Sequence, residues 1–271
     1  MSGAADLAGA REVVAVSPHL DDAAFSAGAA LAGLAAAGAR VRVLTVFTAT
    51  VPDPQGFALA CQLDKGLAAD VDYMALRRAE DDAAMAALGA RGEHLGLPEA
   101  PHRGYGDAPA LFGPVLPGDV AQPAAVLAAL ERALDAGPAP DLLLGPLALG
   151  DHVDHRHVRD AVLALAARRG LRLLLWRDTP YVLRPGAPAP SPGDLAVPVG
   201  PAALDAKAAA CRAYATQLGF QFGGADGAER AVRALAAAEG ARLLGGGAAE
   251  ALAVPPGHPG DPGGGGPGRT G

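Results

Sequence analysis

The chain has 271 residues, of which 51% are apolar and 4% aromatic, and its formal net charge is −7. This length allows one large α/β domain or two small ones, and the apolar content is sufficient for a sizeable core. The sequence contains no dense stripe of lysine and arginine, so we expect no nucleic-acid binding. The two cysteines, Cys61 and Cys211, are far apart and lack metal-type spacing, which favours unpaired thiols in a reducing compartment.

Targeting and membrane signals are also missing from the sequence. Residues 1–10 lack a basic region followed by an apolar core, so no signal peptide is predicted. The most apolar helix candidate, residues 23–38, is too short to span a bilayer, and we expect no stable membrane insertion. A cytoplasmic location is therefore expected. The sequence does not fix the oligomeric state, and a homo-oligomer is compatible with it.

Strand-like and helix-like segments alternate along the chain, which predicts an α/β fold with a mostly parallel sheet and helices on both faces. The predicted strands are Glu12–Ser17, Arg40–Phe47, Glu93–Leu97, Asp141–Pro146 and Leu171–Arg177. The predicted helices are Ala23–Gly38, Met74–Leu88, Val120–Ala136, Val153–Arg169, Ala202–Gln217 and Ala228–Leu244.

The remaining segments divide into site-building loops and a tail. Two long loops, Thr50–Asp72 and Pro98–Gly118, contain Pro and Gly and are expected to shape a binding pocket. We expect a single domain over residues 1–245. Residues 246–271 are dominated by Gly, Pro and Ala, which predicts a disordered tail.

A polar turn follows the first predicted strand, where Ser17-Pro18 leads into His19-Leu20-Asp21-Asp22. Ligands of open parallel sheets bind outside the carboxyl ends of the strands. The turn has no glycine before Gly28, which disfavours a phosphate or NAD(P) cradle. His19 and Asp22 are three residues apart and can converge on one cation, whereas a single capping aspartate would not explain a histidine and two acids.

A second cluster, His152-Val153-Asp154-His155, follows the Leu-rich strand candidate that ends at Pro146. Catalytic zinc takes three protein ligands and keeps one position open for water. We expect His155 to join His19 and Asp22 as the third ligand. In this interpretation Asp21 is the general base, His152 stabilises an oxyanion in its protonated form, and Asp154 orients an imidazole.

Both clusters resemble motifs of the LmbE-like, or PIG-L, zinc deacetylases. That family has a Pro-His-Pro-Asp-Asp-Glu type motif after its first strand and a later His-x-Asp-His motif. The resemblance covers about residues 12–224. The matching segments here are Pro18-His19-Leu20-Asp21-Asp22-Ala23 and His152-Val153-Asp154-His155, with weaker similarity at Arg77-Arg78-Ala79-Glu80, Leu95-Gly96-Leu97-Pro98-Glu99 and Asp178-Thr179-Pro180-Tyr181.

The resemblance implies a Rossmann-like fold and hydrolysis of an N-acyl group, usually an N-acetyl group on an amino sugar. It implies the same zinc ligands, base and oxyanion residue as above. Arg77 matches a substrate-contacting arginine, although a surface arginine paired with Glu80 and Asp81 fits the sequence equally well. Glu99 stands where an aspartate is common in relatives that bind sugar hydroxyls, so we also expect it to bind substrate.

Together these observations predict a zinc-dependent N-deacetylase of a small-molecule N-acyl amino sugar or glycoconjugate. Iron(II) is an alternative metal for this ligand set. Two other functions stay open: an amidase that cleaves a thiol conjugate of an amino sugar, and a non-catalytic sugar-binding module that keeps a relic of the site.

Two other histidines are not expected to bind metal. His94 lies in a predicted strand and is expected to be a structural histidine rather than a ligand. His157 is interpreted as a solvated histidine at a helix start.

Several polar and aromatic residues are expected outside the reacting centre. We expect Arg103 and Tyr105, in the second long loop, at the pocket rim, and Tyr214 and Lys207 to pack or lie at the surface. The segment 220–224 is suggested as an apolar wall of the pocket.

Overall fold

A computed structural model of the chain describes residues 7, 9–189, 191 and 193–255. The strands of the described region are β1 Glu12–Ser17, β2 Arg40–Phe47, β3 Arg91–Leu97, β4 Leu142–Pro146, β5 Leu173–Trp176, β6 Leu195–Pro198 and β7 Ala249–Ala253. Its α-helices are α1 Asp22–Ala36, α2 Gly56–Asp64, α3 Tyr73–Leu88, α4 Gln122–Asp135, α5 Val153–Arg169, α6 Pro201–Ala213, α7 Ala215–Phe222 and α8 Ala225–Leu244.

The strands form one seven-stranded sheet in the order β3-β2-β1-β4-β5-β7-β6. Strands β3, β2, β1, β4 and β5 run parallel to one another, and β7 runs antiparallel to both β5 and β6. The strand order reverses between β1 and β4, because β2 and β3 follow β1 on one side of it and the chain then crosses back to β4 and β5 on the other side. Because parallel strands end at the same edge, the turns after β1 and β4 are neighbours at the usual ligand position of such folds. The α/β fold with a mostly parallel sheet is confirmed.

Apolar side chains of the central strands point alternately to the two faces of the sheet, because successive residues of a strand project in opposite directions. Val13 and Ala15 pack in a cluster with α1, α3, α6 and α8, whereas Val14 and Val16 pack with α4 and α5. Both faces are therefore covered by helices, as expected. Within the described residues no helix has both the length and the apolarity needed to cross a membrane.

The expected domain end at residue 245 is wrong, since β7 inserts between β5 and β6 as an integral strand. Its Glu250 is buried and accepts hydrogen bonds from the backbone N–H groups of Ala29 and Ala30 in α1. The same carboxylate accepts a hydrogen bond from Lys207 Nζ, in α6, at 2.5 Å. The last strand is thus joined to the first helix. The rest of the predicted tail, residues 256–271, lies outside the described residues.

Three other elements differ from the sequence-based expectations. Strand β6 was not predicted, and the loop expected over residues 50–72 contains α2. The helix expected over residues 202–217 ends earlier, and a second helix, α7, begins after Tyr214. Tyr214 and Lys207 were expected to pack or lie at the surface, and both are buried.

Candidate metal centre and active site

Three side chains predicted to bind metal meet at the carboxyl ends of β1 and β4. His19, Asp22 and His155 each offer one ligand atom, and these atoms lie within 4.8 Å of one another. Asp22 Oδ2 is 3.2 Å from His19 Nδ1 and 3.3 Å from His155 Nε2. The three groups therefore face a common point.

The turn after β1 is fixed by hydrogen bonds within it. Ser17 Oγ donates to the carbonyl of His19 at 2.7 Å and accepts the N–H of Ala23 at 3.1 Å. Asp22 Oδ2 accepts the N–H of His19 at 2.9 Å. The chain itself thus sets the positions of His19 and Asp22, so little ordering is needed when a cation binds.

In both histidines, the ring nitrogen that faces away from Asp22 is hydrogen-bonded to a buried carboxylate. His19 Nε2 lies 2.9 Å from Asp154 Oδ2, and His155 Nδ1 lies 2.8 Å from Asp178 Oδ1. Such partners fix the tautomer and ring orientation of metal-binding histidines. Asp178 follows β5, and the sequence had singled out its Asp-Thr-Pro-Tyr segment without giving the aspartate this role.

These groups fit a divalent metal ion. His155 Nε2 is buried and has no hydrogen-bond partner among the described residues. Burial lowers the pKa of His19, but hydrogen bonds to Asp154 and Asp22 more than offset this and raise it well above its ordinary value. The pKa of Asp22 is lowered to about 2 because His155 and His19 outweigh the effect of burial. The surrounding carboxylates therefore give the centre a negative electrostatic potential, which favours a cation. Its two imidazoles and one carboxylate suit zinc or another first-row ion.

A second trio, His19, His152 and Asp154, also has metal-compatible spacing. However, Asp154 Oδ2 already accepts the N–H of Ala100 at 3.1 Å besides contacting His19, and Oδ1 accepts from Arg103 Nη2 at 2.7 Å. His152 Nδ1 accepts the N–H of Asp154 at 3.2 Å. Because these atoms are occupied, the first trio is the better ligand set, and Asp154 acts on His19 by hydrogen bonding.

Asp21 lies beside the ligands and lines the cavity in front of them. It precedes α1 with φ 155° and ψ −33°, a backbone conformation that residues with a Cβ rarely adopt, and its side chain makes no capping hydrogen bond. Burial and the neighbouring Asp22 raise the pKa of Asp21 to about 8, although Arg77 opposes this effect. A carboxyl group of this kind can accept or release a proton near neutral pH.

His152 is the N-cap residue of α5 and also lines the cavity. Burial lowers its pKa to about 3, against the opposing effect of Asp154. Because Nδ1 accepts a backbone N–H, the neutral ring carries its proton on Nε2. Burial therefore favours a neutral His152, with Nε2–H as its donor, whereas the sequence predicts the protonated form.

A cavity of about 850 Å³ opens above these groups. Arg77 lies in its wall and is 5% exposed, so it is not the surface arginine that the sequence also allowed. Its guanidinium donates to Glu99 Oε1 and lies 5.5 Å from the centre of the Tyr73 ring. The two predicted substrate-binding residues therefore form one ion pair at the cavity wall, in which Arg77 is buried and Glu99 half-buried.

Both long loops contribute to the cavity, as predicted. The first supplies α2 and the second supplies two short 3-10 turns, at Ala100–Arg103 and Pro109–Phe112. The suggested apolar wall near residue 220 is also present. The aromatic residues that line the cavity are Phe57, Tyr73, Phe112, Tyr181 and Phe220.

A buried polar network behind the cavity was not predicted. Arg103 and Tyr105 were expected at the pocket rim, but both donate hydrogen bonds to Asp119, from Arg103 Nε at 2.8 Å and from Tyr105 Oη at 3.0 Å. His157, interpreted as a solvated histidine at a helix start, is buried with Nε2 2.9 Å from Asp119 Oδ2. Arg103 links this network to Asp154 and hence to His19. These partners are distant in sequence, so no local pattern reveals them.

His94 was expected to be a structural histidine rather than a ligand. It is bonded to Asp81, with His94 Nε2 2.9 Å from Asp81 Oδ2, and Tyr214 donates to the other oxygen of the same carboxylate. His94 is not among the residues that line the cavity. The structural interpretation of His94 is confirmed.

Comparison with known proteins agrees with this geometry. The family model described as PIG-L, GlcNAc-PI de-N-acetylase, matches residues 14–166, which is more than half of the chain. A 2'-N-acetylparomamine deacetylase from Streptomyces fradiae is 35% identical over 168 residues, or 61% of this chain. The matched region spans 56% of that relative, just over half of its length.

Solved structures extend the match to most of the fold. The A40926 pseudoaglycone deacetylase Dbv21 has a TM-score of 0.73 at 31% identity, covering 89% of this chain and 95% of Dbv21. The zinc-inhibited form of teicoplanin deacetylase Orf2 has a TM-score of 0.76 at 28% identity, covering 91% of this chain and 99% of Orf2. The chain belongs to the PIG-L family of de-N-acetylases.

Proposed function

We propose that this protein is a metal-dependent N-deacetylase that hydrolyses the N-acyl group, in most cases acetyl, of an amino sugar or its glycoconjugate. The observation that carries the proposal is the convergence of His19, Asp22 and His155, with Asp21 beside them and with His19, Asp21 and Asp22 lining the cavity. The relatives support it, since they deacetylate 2'-N-acetylparomamine, the A40926 pseudoaglycone and teicoplanin. The free thiols Cys61 and Cys211 fit the expected cytoplasmic location.

His19, Asp22 and His155 would hold the metal, with zinc as the first choice and iron(II) as the alternative. When bound, such an ion supplies Lewis acidity that polarises the acyl carbonyl and makes a water molecule easier to deprotonate. Asp154 and Asp178 keep the two imidazoles oriented for this task. Their hydrogen bonds leave His19 Nδ1 and His155 Nε2 directed towards Asp22 Oδ2.

Asp21 is the proposed general base. In its ionised form it takes a proton from the water that attacks the acyl carbon, and it then returns this proton to the nitrogen of the leaving amine. The products are a free amine and a carboxylate such as acetate. In the metal-free site its pKa of about 8 keeps it mostly protonated at neutral pH, and a bound cation would lower this pKa and favour the ionised form that acts as the base.

His152 is the proposed oxyanion donor. Its neutral ring offers Nε2–H to the carbonyl oxygen as negative charge develops there, and burial strengthens this hydrogen bond relative to water. The rings of His152 and His19 are in edge contact at 5.2 Å between centroids, so the donor lies next to the ligand set. Arg77 and Glu99 are proposed to bind sugar hydroxyls at the adjacent wall.

The two alternatives make separate predictions. A non-catalytic relic would be expected to lose its base first, whereas Asp21, His152 and the three ligands are all retained here. An amidase that acts on an amino-sugar thiol conjugate would use the same groups. Only the choice of substrate separates it from a deacetylase of simple N-acetyl sugars.

The test compares the purified wild type with His19→Ala, Asp21→Asn and the control His94→Ala. We expect about one zinc or iron per chain in the wild type, loss of metal in His19→Ala, and retention in the control. Amine release from a panel of N-acetylglucosaminides should fall about 10²-fold to 10⁴-fold in Asp21→Asn while its metal content stays unchanged. Full activity of metal-loaded Asp21→Asn would refute the base assignment, and a metal-free wild type prepared without chelators would refute the metal site.

A further inference from the structure

Four aromatic rings form a closed cycle of contacts beside the proposed metal site. Between centroids, the ring of Phe112 lies 5.4 Å from that of His152 and 6.0 Å from that of Tyr181. His155 completes the cycle, at 5.4 Å from His152 and 5.3 Å from Tyr181. These distances are within the contact range of aromatic pairs. Phe112, His152 and Tyr181 line the cavity, so its wall has an aromatic corner, formed by Phe112 and Tyr181, next to the reacting centre.

The ring of Tyr181 has little freedom to move. Gly150 lies so close to it that a Cβ at this position would be 2.6 Å from Tyr181 Cδ1. The guanidinium carbon of Arg184 lies 4.5 Å from the centre of the Tyr181 ring and 5.4 Å from that of Phe112. The Tyr181 ring is therefore contacted by backbone, by two other rings and by a cation, which together hold it in place.

Phe112 is positioned by contacts between its turn, Pro109–Phe112, and helix α5. Arg156 of α5 donates from Nη2 to the carbonyl of Gly113 at 2.6 Å. Leu111 packs against a buried cluster that includes Val153, also of α5. Because α5 carries the proposed ligand from the second motif as well, the Phe112 ring and that ligand are held by the same element.

The aromatic corner differs in chemistry from the wall that is proposed to bind the sugar. That wall carries the ion pair of Arg77 and Glu99, which can pair with hydroxyl groups. A secondary amide is planar and trans, so the sugar on its nitrogen and the acyl chain on its carbonyl carbon point in opposite directions. With the sugar at the ion pair and the carbonyl oxygen at His152, the acyl chain faces the aromatic corner, where an apolar group leaves no hydrogen bond unmade.

We propose that Phe112 and Tyr181 determine which acyl lengths are accepted, because their rings close the cavity just beyond the methyl group of an acetyl. This inference rests on the proposed function and assigns its acyl specificity to two residues. A longer chain has to displace rings that their surroundings hold in place, and overpacking of this kind is unfavourable. In an apolar pocket one methylene changes discrimination by about 10-fold to 200-fold.

The test measures how acyl length affects turnover and binding separately. Amine release from N-acetyl-, N-butanoyl- and N-hexanoylglucosamine gives kcat/KM for each acyl length on the metal-loaded protein. Calorimetry gives the dissociation constants of acetohydroxamate and hexanohydroxamate. A hydroxamate binds a metal ion through its two oxygens and presents the same alkyl chain without an amine to release, so this measurement does not depend on turnover.

The variants remove the two rings one at a time. They are Phe112→Ala and Tyr181→Leu, with Tyr181→Phe to retain the ring without the hydroxyl. Phe220→Ala is the matched control, since Phe220 lines the same cavity, is 65% exposed and lies outside the ring cycle. Metal content and unfolding are measured for every variant, so a misfolded one is recognised and the other ring decides the outcome.

We expect the wild type to prefer acetyl to hexanoyl by at least about 100-fold in kcat/KM and to bind acetohydroxamate more tightly than hexanohydroxamate. Phe112→Ala and Tyr181→Leu should each lower both ratios about tenfold, because each opens space for the longer chain. Tyr181→Phe and Phe220→Ala should keep the wild-type ratios.

Three results would overturn the inference: a wild type that accepts hexanoyl as readily as acetyl, ratios that stay unchanged when either ring is removed, or an equal change in Phe220→Ala. Hydroxamate ratios that fall as expected, without amine release from any sugar, would refute the proposed function alone. Amine release with unchanged ratios would refute the inference alone, and the absence of both amine release and hydroxamate binding would refute both.

Discussion

Replacing Arg103 by methionine should weaken both the fold and the metal site. The guanidinium donates to both oxygens of Asp119, at 2.8 and 2.9 Å, and to Asp154 Oδ1 at 2.7 Å. Its side chain is only 9% exposed, and it lies 4.8 Å from the centre of the Phe47 ring. Methionine fills much of the same space but leaves two buried carboxylates with fewer donors.

The size of the effect follows from that burial. Removing one partner of a buried ion pair costs about 3–5 kcal/mol. For a chain of this size, the melting temperature should fall by about 6–20 °C. Asp154 would keep its contacts with His19 and Ala100 but lose the charge that fixes its other oxygen, so His19 becomes less well oriented. Loss of such an outer partner lowers metal affinity about 10-fold to 100-fold.

The assay combines urea unfolding of the metal-free protein with zinc affinity from chelator competition. The matched control is Arg42→Met, because Arg42 makes a comparable two-point ion pair with Glu93, at 2.9 and 3.0 Å, away from the site. We expect both variants to lose stability and only Arg103→Met to lose zinc affinity. Equal zinc affinities in the two variants would refute the argument that Arg103 acts through Asp154 on His19.

Three further predictions concern the surroundings of the site. A Cβ on Gly150, whose φ is +86°, would lie 2.6 Å from the Tyr181 ring, so Gly150→Ala should lower amine release without emptying the metal site, measured by activity and metal analysis. Hydrogen bonds from Arg103 and His157 outweigh burial and lower the pKa of Asp119, so its stabilising effect is present above pH ~4 and is lost as the pH falls further. The difference in unfolding free energy between wild type and Asp119→Asn should therefore shrink from pH 5 to pH 3, and a constant difference would contradict this. Lys207→Met leaves Glu250 buried without its cation and should cost about 3–5 kcal/mol in urea unfolding, whereas a loss below about 1 kcal/mol would show that the pair contributes little.

The convergence of His19, Asp22 and His155 could be predicted from sequence because each motif is local and follows a strand whose position in a parallel sheet is constrained. His19 and Asp22 lie in one turn, and His155 lies in the first turn of α5. The topology then brings the two turns together without further information. The supporting partners Asp119 and Asp178 come from other segments, and their pairing depends on tertiary packing that no spacing encodes.

Strand β7 shows a second limit of sequence reasoning. Its residues Ala249–Ala253 contain no β-branched side chain and lie near a Gly-rich stretch, so local propensity favours coil or helix. Pairing on both sides, with β5 and β6, overrides that preference. His157 was misjudged for a related reason, since only the position of Asp119 distinguishes a buried histidine from a solvated one.

The insertion of β7 between β5 and β6 has a consequence for biosynthesis. During translation β5 emerges with one unpaired edge, and β6 has no neighbour in the sheet until residues 249–253 have left the ribosome. Asp178, which is hydrogen-bonded to His155, follows directly after β5. Glu250 of β7 accepts a backbone hydrogen bond from α1, the helix that begins at Asp22. The nascent chain therefore completes the geometry of the proposed metal site only after residues 249–253 have left the ribosome, and metal binding is expected to follow that step.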